Sequence, residues 1–331
     1  MTLFPGLATR IRRGDPIPAP LALALSACTP AVRIGMSVRK LRRIHRVNAR
    51  VISFGNITAG GTGKTPAVIE RAQKELAAGH RVAVLTRGFA APAGSPPADS
   101  TDLQGLSAYE ALGDEAALIL QKAPGVIVIK NADRVTGAQR AIDRHHCDVL
   151  ILDDGFQYLR LARDENVVLI DATNPFGNDH LLPRGILRES PSALQRATHL
   201  IITHADQCSD LPALEHRLHA FAPHVPIRKT VHAPVALRNL AGGASIDLVA
   251  IRGQRVDVLC AIGNPESFVA TLSKLGAIVE RVVAKPDHSA LSENRSSRTN
   301  RIVVTEKDAV RGGFAENGEG FVLEISLRDF V

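Results

Sequence analysis

The chain of 331 residues contains no tryptophan, only two tyrosines and only four cysteines. The cysteines are far apart and include no Cys-x-x-Cys pair: Cys28, Cys147, Cys208 and Cys260. This spacing excludes a disulfide framework and favours reduced thiols in a cytosolic protein. Long apolar runs are also missing. The run at 20–29 is about half of the roughly 20 residues that a membrane-spanning helix needs, so it does not span.

Basic residues are abundant only at the start of the chain. The formal net charge is +7, and the first 50 residues contain ten Arg or Lys but one acidic residue, Asp15. The remainder is therefore close to neutral. A nucleic-acid-binding protein would spread basic or aromatic surface over its body, so we expect no nucleic-acid partner. The asymmetry favours an N-terminal segment that contacts an anionic surface.

A basic amphipathic helix is predicted after Thr29-Pro30, a pair that suits a helix start. The apolar residues recur there every three or four positions and are Ile34, Val38, Leu41, Ile44 and Val47. Arginines and a lysine lie between them. Such a helix either lies in the headgroup layer of an anionic membrane or packs on the core with a solvated basic face. A secretory signal peptide is disfavoured because Asp15 and two prolines interrupt the required pattern.

Residues 51–66 read as a strand, a glycine-rich turn and the start of a helix. Glycines let the backbone approach a polyphosphate, and the amides at a helix N-terminus bind anions. Lys64 would add a positive charge, and Thr65 stands where a P-loop places its Mg²⁺-binding hydroxyl. The candidate phosphate-binding residues are Thr58, Gly60, Gly61, Thr62, Gly63, Lys64 and Thr65. A purely structural glycine turn is the alternative.

From residue 47 onward, short β-branched runs alternate with helical patterns, which predicts an α/β protein with a mostly parallel sheet. The predicted strands are 51–54, 81–85, 126–129, 149–152, 167–170 and 200–203, then 258–262, 278–283, 302–305 and 321–325. Residues 90–103 read as a loop. The length favours two domains. We therefore expect an N-terminal basic segment at 1–46, a nucleotide-binding domain at 47–228, a hairpin-like linker at 229–256 and a smaller α/β domain at 257–331.

Two carboxylates, Asp153 and Asp154, follow an apolar strand. In a parallel sheet they would emerge at the same edge as the phosphate loop, where they could hold Mg²⁺ or its waters. The alternative is a helix-capping aspartate before a turn. By themselves, Gly113-Asp114-Glu115 and Asp133-Arg134 are explained by helix capping and surface ion pairs. Residues 203–206 only faintly match a guanine-reading tetrad, because its lysine is missing.

Together, these motifs resemble those of tetraacyldisaccharide 4′-kinases, the kinases of the lipid A pathway. The resemblance extends in order over roughly residues 20–311. Its segments are Gly55–Pro66, Thr86–Phe89, Gly113–Glu115, Asp133–Val135, Asp153–Gln157, Leu181–Glu189, Ala261–Phe268, Pro286–His288 and Thr305–Arg311. A P-loop alone is shared by many families, whereas the whole series is highly specific.

The resemblance implies a RecA-like P-loop NTPase domain and a second, smaller α/β domain joined by a two-stranded linker. ATP and Mg²⁺ would be the cofactors, and the γ-phosphate would pass to the 4′-hydroxyl of a tetraacylated glucosamine disaccharide 1-phosphate. The protein would lie peripherally on the cytoplasmic face of the inner membrane of a Gram-negative type bacterium and contact its anionic surface. No obligatory protein partner is evident.

The resemblance also implies roles for individual residues. Asp114 matches the family's catalytic aspartate and His288 its partner histidine, while Asp153 and Asp154 form the acidic pair on the metal side. Seven further positions in family motifs are expected on the substrate side: Asn56, Arg87, Glu115, Arg134, Gln157, Arg188 and Glu189. The chain departs from the family pattern at Ala116, Tyr158, Arg184, Ile186 and Ser289.

Two other functions compete with this interpretation. A membrane-associated ATPase switch would carry a signature lysine in its phosphate loop, but position 59 is Ala59. Such a switch would turn over ATP without a lipid acceptor. A nucleic-acid-dependent ATPase would need basic or aromatic surface in its body, and this body is nearly neutral and poor in aromatic residues.

Overall fold

We describe the fold from a computed structural model of the chain. The structure describes residues 6–7, 10–11, 15, 17–31, 34–35, 43–88, 97–103, 105, 107–240, 242, 244–285, 300–312 and 320–331.

A mostly parallel sheet forms the first half of the molecule. Its strands are β1 (Arg50–Gly55), β2 (Val82–Thr86), β3 (Ala98–Asp99), β4 (Ile127–Lys130), β5 (Val149–Leu152), β6 (Glu165–Asp171) and β7 (His199–Thr203). They lie in the order β3-β4-β2-β5-β1-β6-β7. Only β3 runs antiparallel to its neighbour in this sheet. The six strands predicted here are confirmed, but the predicted loop at 90–103 contains β3 within its described part.

Helices cover both faces of this sheet. Helix α1 (Ala19–Ala27) precedes the sheet and buries none of its residues. The helices on the two faces are α2 (Lys64–Ala77), α3 (Ala108–Leu112), α4 (Asp114–Lys122), α5 (Arg134–His145) and α6 (Leu211–Phe221). Helix α2 buries Ala67, Val68 and Ala72 against apolar residues of β1, β2 and β5. On the other face, α5 packs Ala138 and Ala141 onto the same strands. Because both faces are covered, the central strands are apolar at nearly every position.

A second, smaller α/β unit completes the molecule. Its strands are β8 (Ile227–Asn239), β9 (Ser245–Ile246), β10 (Arg255–Cys260), β11 (Ile278–Ala284), β12 (Arg301–Thr305) and β13 (Gly320–Asp329), with helices α7 (Pro265–Lys274) and α8 (Glu306–Arg311). The order is β11-β10-β12-β13-β8. The four strands predicted after residue 257 are confirmed, with β13 extending four residues beyond its predicted end at 325.

The long strand β8 connects the two sheets. Its first residues pair in parallel with β7, as Ile202 opposite Lys229. From Thr230 to Asn239 it pairs with β13 in antiparallel orientation. Strands β12 and β10 run parallel to β13. These three strands therefore run opposite to β7 and point toward the first sheet. The carboxyl ends of the strands in the two sheets therefore face each other.

The N-terminal helix differs from its prediction. The chain is helical at Ala19–Ala27, at 29–31 and at 34–35, whereas residues 43–47 are not helical. The prediction of a helix that continues through Ile44 and Val47 is wrong because the His45 backbone pairs with residues 160 and 162 instead. Val38 and Leu41 lie outside the described residues. No described helix has the length and apolar content needed to cross a bilayer.

A buried aspartate on β3 allows a test of the fold by pH. Asp99 is 1% exposed and accepts hydrogen bonds from Thr101, Arg140 and His145. Burial would raise its pKa, but these hydrogen bonds outweigh burial and lower the pKa to about 2. The ionised form is therefore favoured in the folded state, and its contribution is present above about pH 4 and lost as pH falls toward the folded pKa.

We expect Asp99→Asn to lower the free energy of unfolding at pH 7 by about 2 kcal/mol. The difference from wild type should shrink between about pH 4 and pH 2 in denaturant titrations. Asp102→Asn is the matched control, because Asp102 is half-exposed and forms a long ion pair with Arg144 at 3.6 Å. An equal loss in both variants would contradict the assignment.

Candidate active site

The phosphate loop joins β1 to α2 at the carboxyl edge of the first sheet. It comprises residues 56–63, and Gly63 caps α2 with a positive φ of 78°. The loop backbone is held by residues 186–188. Ala59 donates to the Ile186 carbonyl at 2.7 Å, and Arg188 donates to the Ile57 carbonyl at 2.7 Å. The sequence prediction placed both segments near the site, and the structure joins them.

Two polar groups of the loop have no protein partner within the described part of the chain. They are the Thr62 hydroxyl and the Asn56 side-chain NH₂ group, both buried. Thr65 is also nearly buried, at 9% exposure. Unsatisfied buried donors are costly, so their occurrence at a helix N-terminus is typical of a site completed by an anionic ligand.

Lys64 and Arg188 converge on one carboxylate. The Lys64 ammonium lies 3.5 Å from an Asp154 oxygen and 3.5 Å from the Asn56 side-chain oxygen. Arg188 donates to both Asp154 oxygens, at 2.9 and 2.8 Å. Burial would raise the pKa of Asp154, but the two cations outweigh it and lower the pKa. Asp154 is therefore ionised at neutral pH and holds the phosphate-loop lysine.

Asp153 lies deeper than its neighbour. It is 3% exposed, and one of its carboxylate oxygens has no partner among the described residues. Burial, with the charges of Glu115 and Asp154, raises its pKa to about 7. A cation placed here would neutralise three carboxylates at once. Oxygen donors of this kind suit Mg²⁺, which takes one or two protein carboxylates and completes its shell with phosphate oxygens and water.

A second group of predicted residues forms the wall beside the loop. Gln157 donates to the Asn56 carbonyl at 2.9 Å and to Glu189 at 3.1 Å. Arg196 donates to the same Glu189 oxygen at 2.9 Å. Arg196 was missed in the sequence analysis, since it lies seven residues beyond the recognised motif.

Two arginines lie on the other side of Asp153. Arg134 is 5% exposed, and its Nε has no partner among the described residues. The pKa of Arg134 is lowered, mainly by burial. The negative charge of Asp153 opposes this shift, and the positive charge of the exposed Arg87 adds to it. Two nearby guanidinium groups, one incompletely bonded, can bind a phosphate or another anion between them.

The predicted catalytic aspartate is buried under the second sheet. Asp114 is fully buried, and its carboxylate binds the Arg311 guanidinium, with Nε to oxygen at 2.7 Å. Arg311 also donates to the Ala261 carbonyl and to Asp308. Beside it, Lys307 lies 3.0 Å from Glu115. The sequence analysis gave Arg311 and Lys307 no role, although both fall in a recognised motif. His288 lies outside the described residues.

The loop after β10 also reaches the phosphate loop. A Cβ added to Gly61 would lie 3.6 Å from the Gly263 Cα. Asn264 donates to Thr173 at 3.2 Å. The loop after β10 in the second sheet thus borders the phosphate loop. With a phosphate cradle, a charged lysine, buried carboxylates and surrounding arginines, the arrangement suits phosphoryl transfer, which depends on positioning and charge neutralisation.

Known proteins share this sequence and architecture. The family model for tetraacyldisaccharide-1-P 4′-kinase matches residues 17–328. A tetraacyldisaccharide 4′-kinase of Anaeromyxobacter dehalogenans strain 2CP-C is 41% identical over 307 residues, covering 88% of this chain and 81% of the relative. That of Syntrophus aciditrophicus strain SB is 39% identical over 318 residues, covering 88% and 85%.

A solved structure is similar in fold. The crystal structure of LpxK from Aquifex aeolicus in complex with ATP has a TM-score of 0.72 and 25% sequence identity. The similarity covers 92% of this chain and 95% of that one. Both sheets of the present chain are therefore included in the match.

We expect Lys64→Ala to lower ATP turnover by about 10²-fold or more, because it removes the charge that neutralises the phosphates. Thermal unfolding should stay near the wild-type temperature, since within the described part of the chain Lys64 is bound by Asn56 and Asp154 at the long distance of 3.5 Å. Lys74→Ala, an exposed lysine at the last turn of α2, is the control. A folded, fully active Lys64→Ala variant would refute the phosphate-loop assignment.

Proposed function

The chain belongs to the tetraacyldisaccharide 4′-kinase family, and we propose that the site at the facing sheet edges carries out that reaction. The substrate is ATP together with a tetraacylated glucosamine disaccharide 1-phosphate, and the γ-phosphate passes to the 4′-hydroxyl in lipid A biosynthesis. The resemblance drawn from the sequence motifs is thereby confirmed. Family membership disfavours an ATPase switch without a lipid acceptor.

The convergence of Lys64, Asp154 and Arg188 is the observation that carries this assignment to individual residues. In this arrangement Asp154 holds the Lys64 ammonium next to the loop amides. An ATP polyphosphate in the cradle competes for Lys64, since a charge-assisted bond to phosphate is stronger than a bond at 3.5 Å. Arg188 is already held by two shorter bonds to Asp154. Lys64 then neutralises negative charge on the transferred phosphoryl group. Arg188 stabilises the part of that group that faces Asp154.

Thr65, Asp153 and Asp154 are the residues that would hold Mg²⁺ in this proposal. A divalent ion bound there would supply positive charge that offsets the negative charge of the phosphates during transfer. The unpartnered Asp153 oxygen supports this placement, as does its pKa of about 7, which bound Mg²⁺ would lower.

Asp114 and His288 are proposed as the pair that accepts the proton of the sugar hydroxyl. A carboxylate that accepts a hydrogen bond from an imidazole fixes its tautomer and raises its basicity. Arg311 binds the Asp114 carboxylate and ties it to the second sheet. Asn56, Gln157 and Glu189 form the adjoining wall, and Arg87 and Arg134 supply positive charge for the lipid substrate's phosphate.

The kinase assignment and the pair are tested in one assay, with [γ-³²P]ATP and detergent-dispersed disaccharide 1-phosphate lipid. We expect label at the 4′ position with wild-type protein and none with a lipid already carrying a 4′-phosphate. Asp114→Asn is preferred to Ala, because it keeps a partner for the buried Arg311. Each single variant, Asp114→Asn or His288→Ala, should lower kcat/KM by about 10²–10⁴-fold.

Since residues that act as a unit are non-additive, the double variant should be little worse than the poorer single variant. Losses that multiply would mean that the two residues act independently, and the pair would be wrong while the kinase survives. Absence of lipid labelling by well-folded wild-type protein would overturn the kinase assignment itself.

We further propose that the N-terminal segment rests on the cytoplasmic face of the inner membrane, where the lipid substrate resides. Leu23 and Ile34 are large apolar side chains exposed at 75% and 63% in helical parts of this segment. The basic residues between 33 and 46 would bind anionic headgroups, each contributing about 1 kcal/mol. An enzyme held there reaches a hydroxyl at headgroup depth without extracting the lipid.

Replacing Arg39, Lys40, Arg42 and Arg43 by Gln should weaken binding to vesicles that contain anionic lipid by more than about tenfold. Binding of the wild type should fall as salt rises, because the Debye length shortens. The control removes four exposed positive charges from the body: Lys74, Arg81, Arg255 and Arg328. Equal vesicle sedimentation of both variants would assign the segment to the protein core instead.

A further inference from the structure

A histidine of the connecting strand lies directly behind the phosphate loop. His232 belongs to β8, three residues beyond Lys229, where pairing with β7 ends. At His232 the strand pairs with Leu327 of β13. The residue therefore stands where the two sheets meet, at the same edge as the loop.

The imidazole of His232 lies so close to Gly63 that only glycine fits at position 63. A Cβ added to Gly63 would lie 2.6 Å from His232 Nε2 and 2.7 Å from its Cε1. Real side chains do not approach so closely, so any larger residue at 63 would displace the imidazole. Since Gly63 caps α2 with a φ of 78°, the imidazole fills the space on the side of Gly63 where other residues carry a side chain.

The ring is held from behind by a second histidine. The His204 and His232 rings meet edge to face with centroids 4.3 Å apart. His204 is itself fixed by Asp171, 3.1 Å from its Nδ1. Next to it, Thr203 donates to the Thr62 carbonyl at 3.1 Å. The rear of the loop thus rests on the carboxyl end of β7 and on β8.

His232 acts through shape and polarity without carrying charge. Its Nε2 is buried and has no hydrogen-bond partner among the described residues. Burial, with the nearby His204, lowers its pKa to about 3, so the ring is neutral at physiological pH. A buried polar atom that gains no hydrogen bond is retained at a cost, which indicates that its position against the loop matters.

We propose that His232 is a positioning residue for ATP, which holds Gly63 and the following amides of α2 in the geometry that binds the phosphates. Through it, the strand that joins the two sheets sets the shape of the phosphate loop. The inference rests on the proposed function, because it takes residues 58–65 as the ATP site. Small displacements of such a cradle change affinity strongly, since several hydrogen bonds depend on one backbone geometry.

The test measures the Kd of Mg·ATP by calorimetry on the full chain, and kcat and KM with lipid substrate. His232→Ala and His232→Val both remove the ring, and valine keeps the β-propensity of the strand. We expect both to raise Kd and KM for ATP about tenfold, with kcat and KM for the lipid within about threefold. Val235→Ala, at an exposed position of the same strand, should match wild type.

A double-mutant cycle with Gly63→Ala tests the contact itself. In wild type the new methyl group meets the imidazole, whereas in His232→Ala it keeps only an ordinary contact with Thr203 Cγ2 at 3.4 Å and the cost of a positive φ. We expect Gly63→Ala to weaken Mg·ATP binding at least about threefold less in the His232→Ala background. An equal penalty in both backgrounds would overturn the proposal.

The Lys64→Ala variant separates the two levels of inference. If it binds and turns over ATP normally, the phosphate-loop assignment fails. If Lys64→Ala is defective while both His232 variants bind ATP as wild type does, only the role of His232 is refuted. Loss of kcat with unchanged ATP affinity in both His232 variants would also refute it.

Discussion

The buried negative charge of Asp153 and Asp154 is the constraint on which the site depends. Two adjacent carboxylates at the end of a buried strand are costly unless cations or hydrogen-bond donors compensate them. Lys64 and Arg188 compensate Asp154, and the nearby charge of Arg134 favours ionisation of Asp153. Asp154 therefore positions the phosphate-loop lysine. The same negative charge would attract a divalent cation.

The return of the chain along β8 decides what surrounds this charge. Because β13, β12 and β10 run antiparallel to β7, their carboxyl ends point back at the first sheet. That direction brings Arg311 to Asp114 and Gly263 to Gly61. It also places His232 behind the phosphate loop. The orientation of the second sheet and the geometry of the phosphate loop therefore depend on the same contacts.

Much of the fold could be predicted from sequence, because short β-branched runs alternate with helical periodicity at nearly every element. The errors occur where distant backbone overrides local pattern. Residues 43–47 have helical spacing, yet His45 pairs with residues 160 and 162, and Val47 packs on the core beneath β5. Similarly, polar composition suggested a loop at 90–103, but Ala98–Asp99 pair with β4, and Asp99 is fixed by His145.

By itself the sequence determined the phosphate loop, the acidic pair and the strands that carry them, since their chemistry lies in residues close together along the chain. Only the tertiary structure decided that Arg311 binds Asp114, 197 residues away, and that His232 fills the space beside Gly63. No local pattern encodes such partners, because a buried ion pair or a ring packed on a glycine depends on how two sheets approach each other. That approach is set by the register of β8 against β7 and β13.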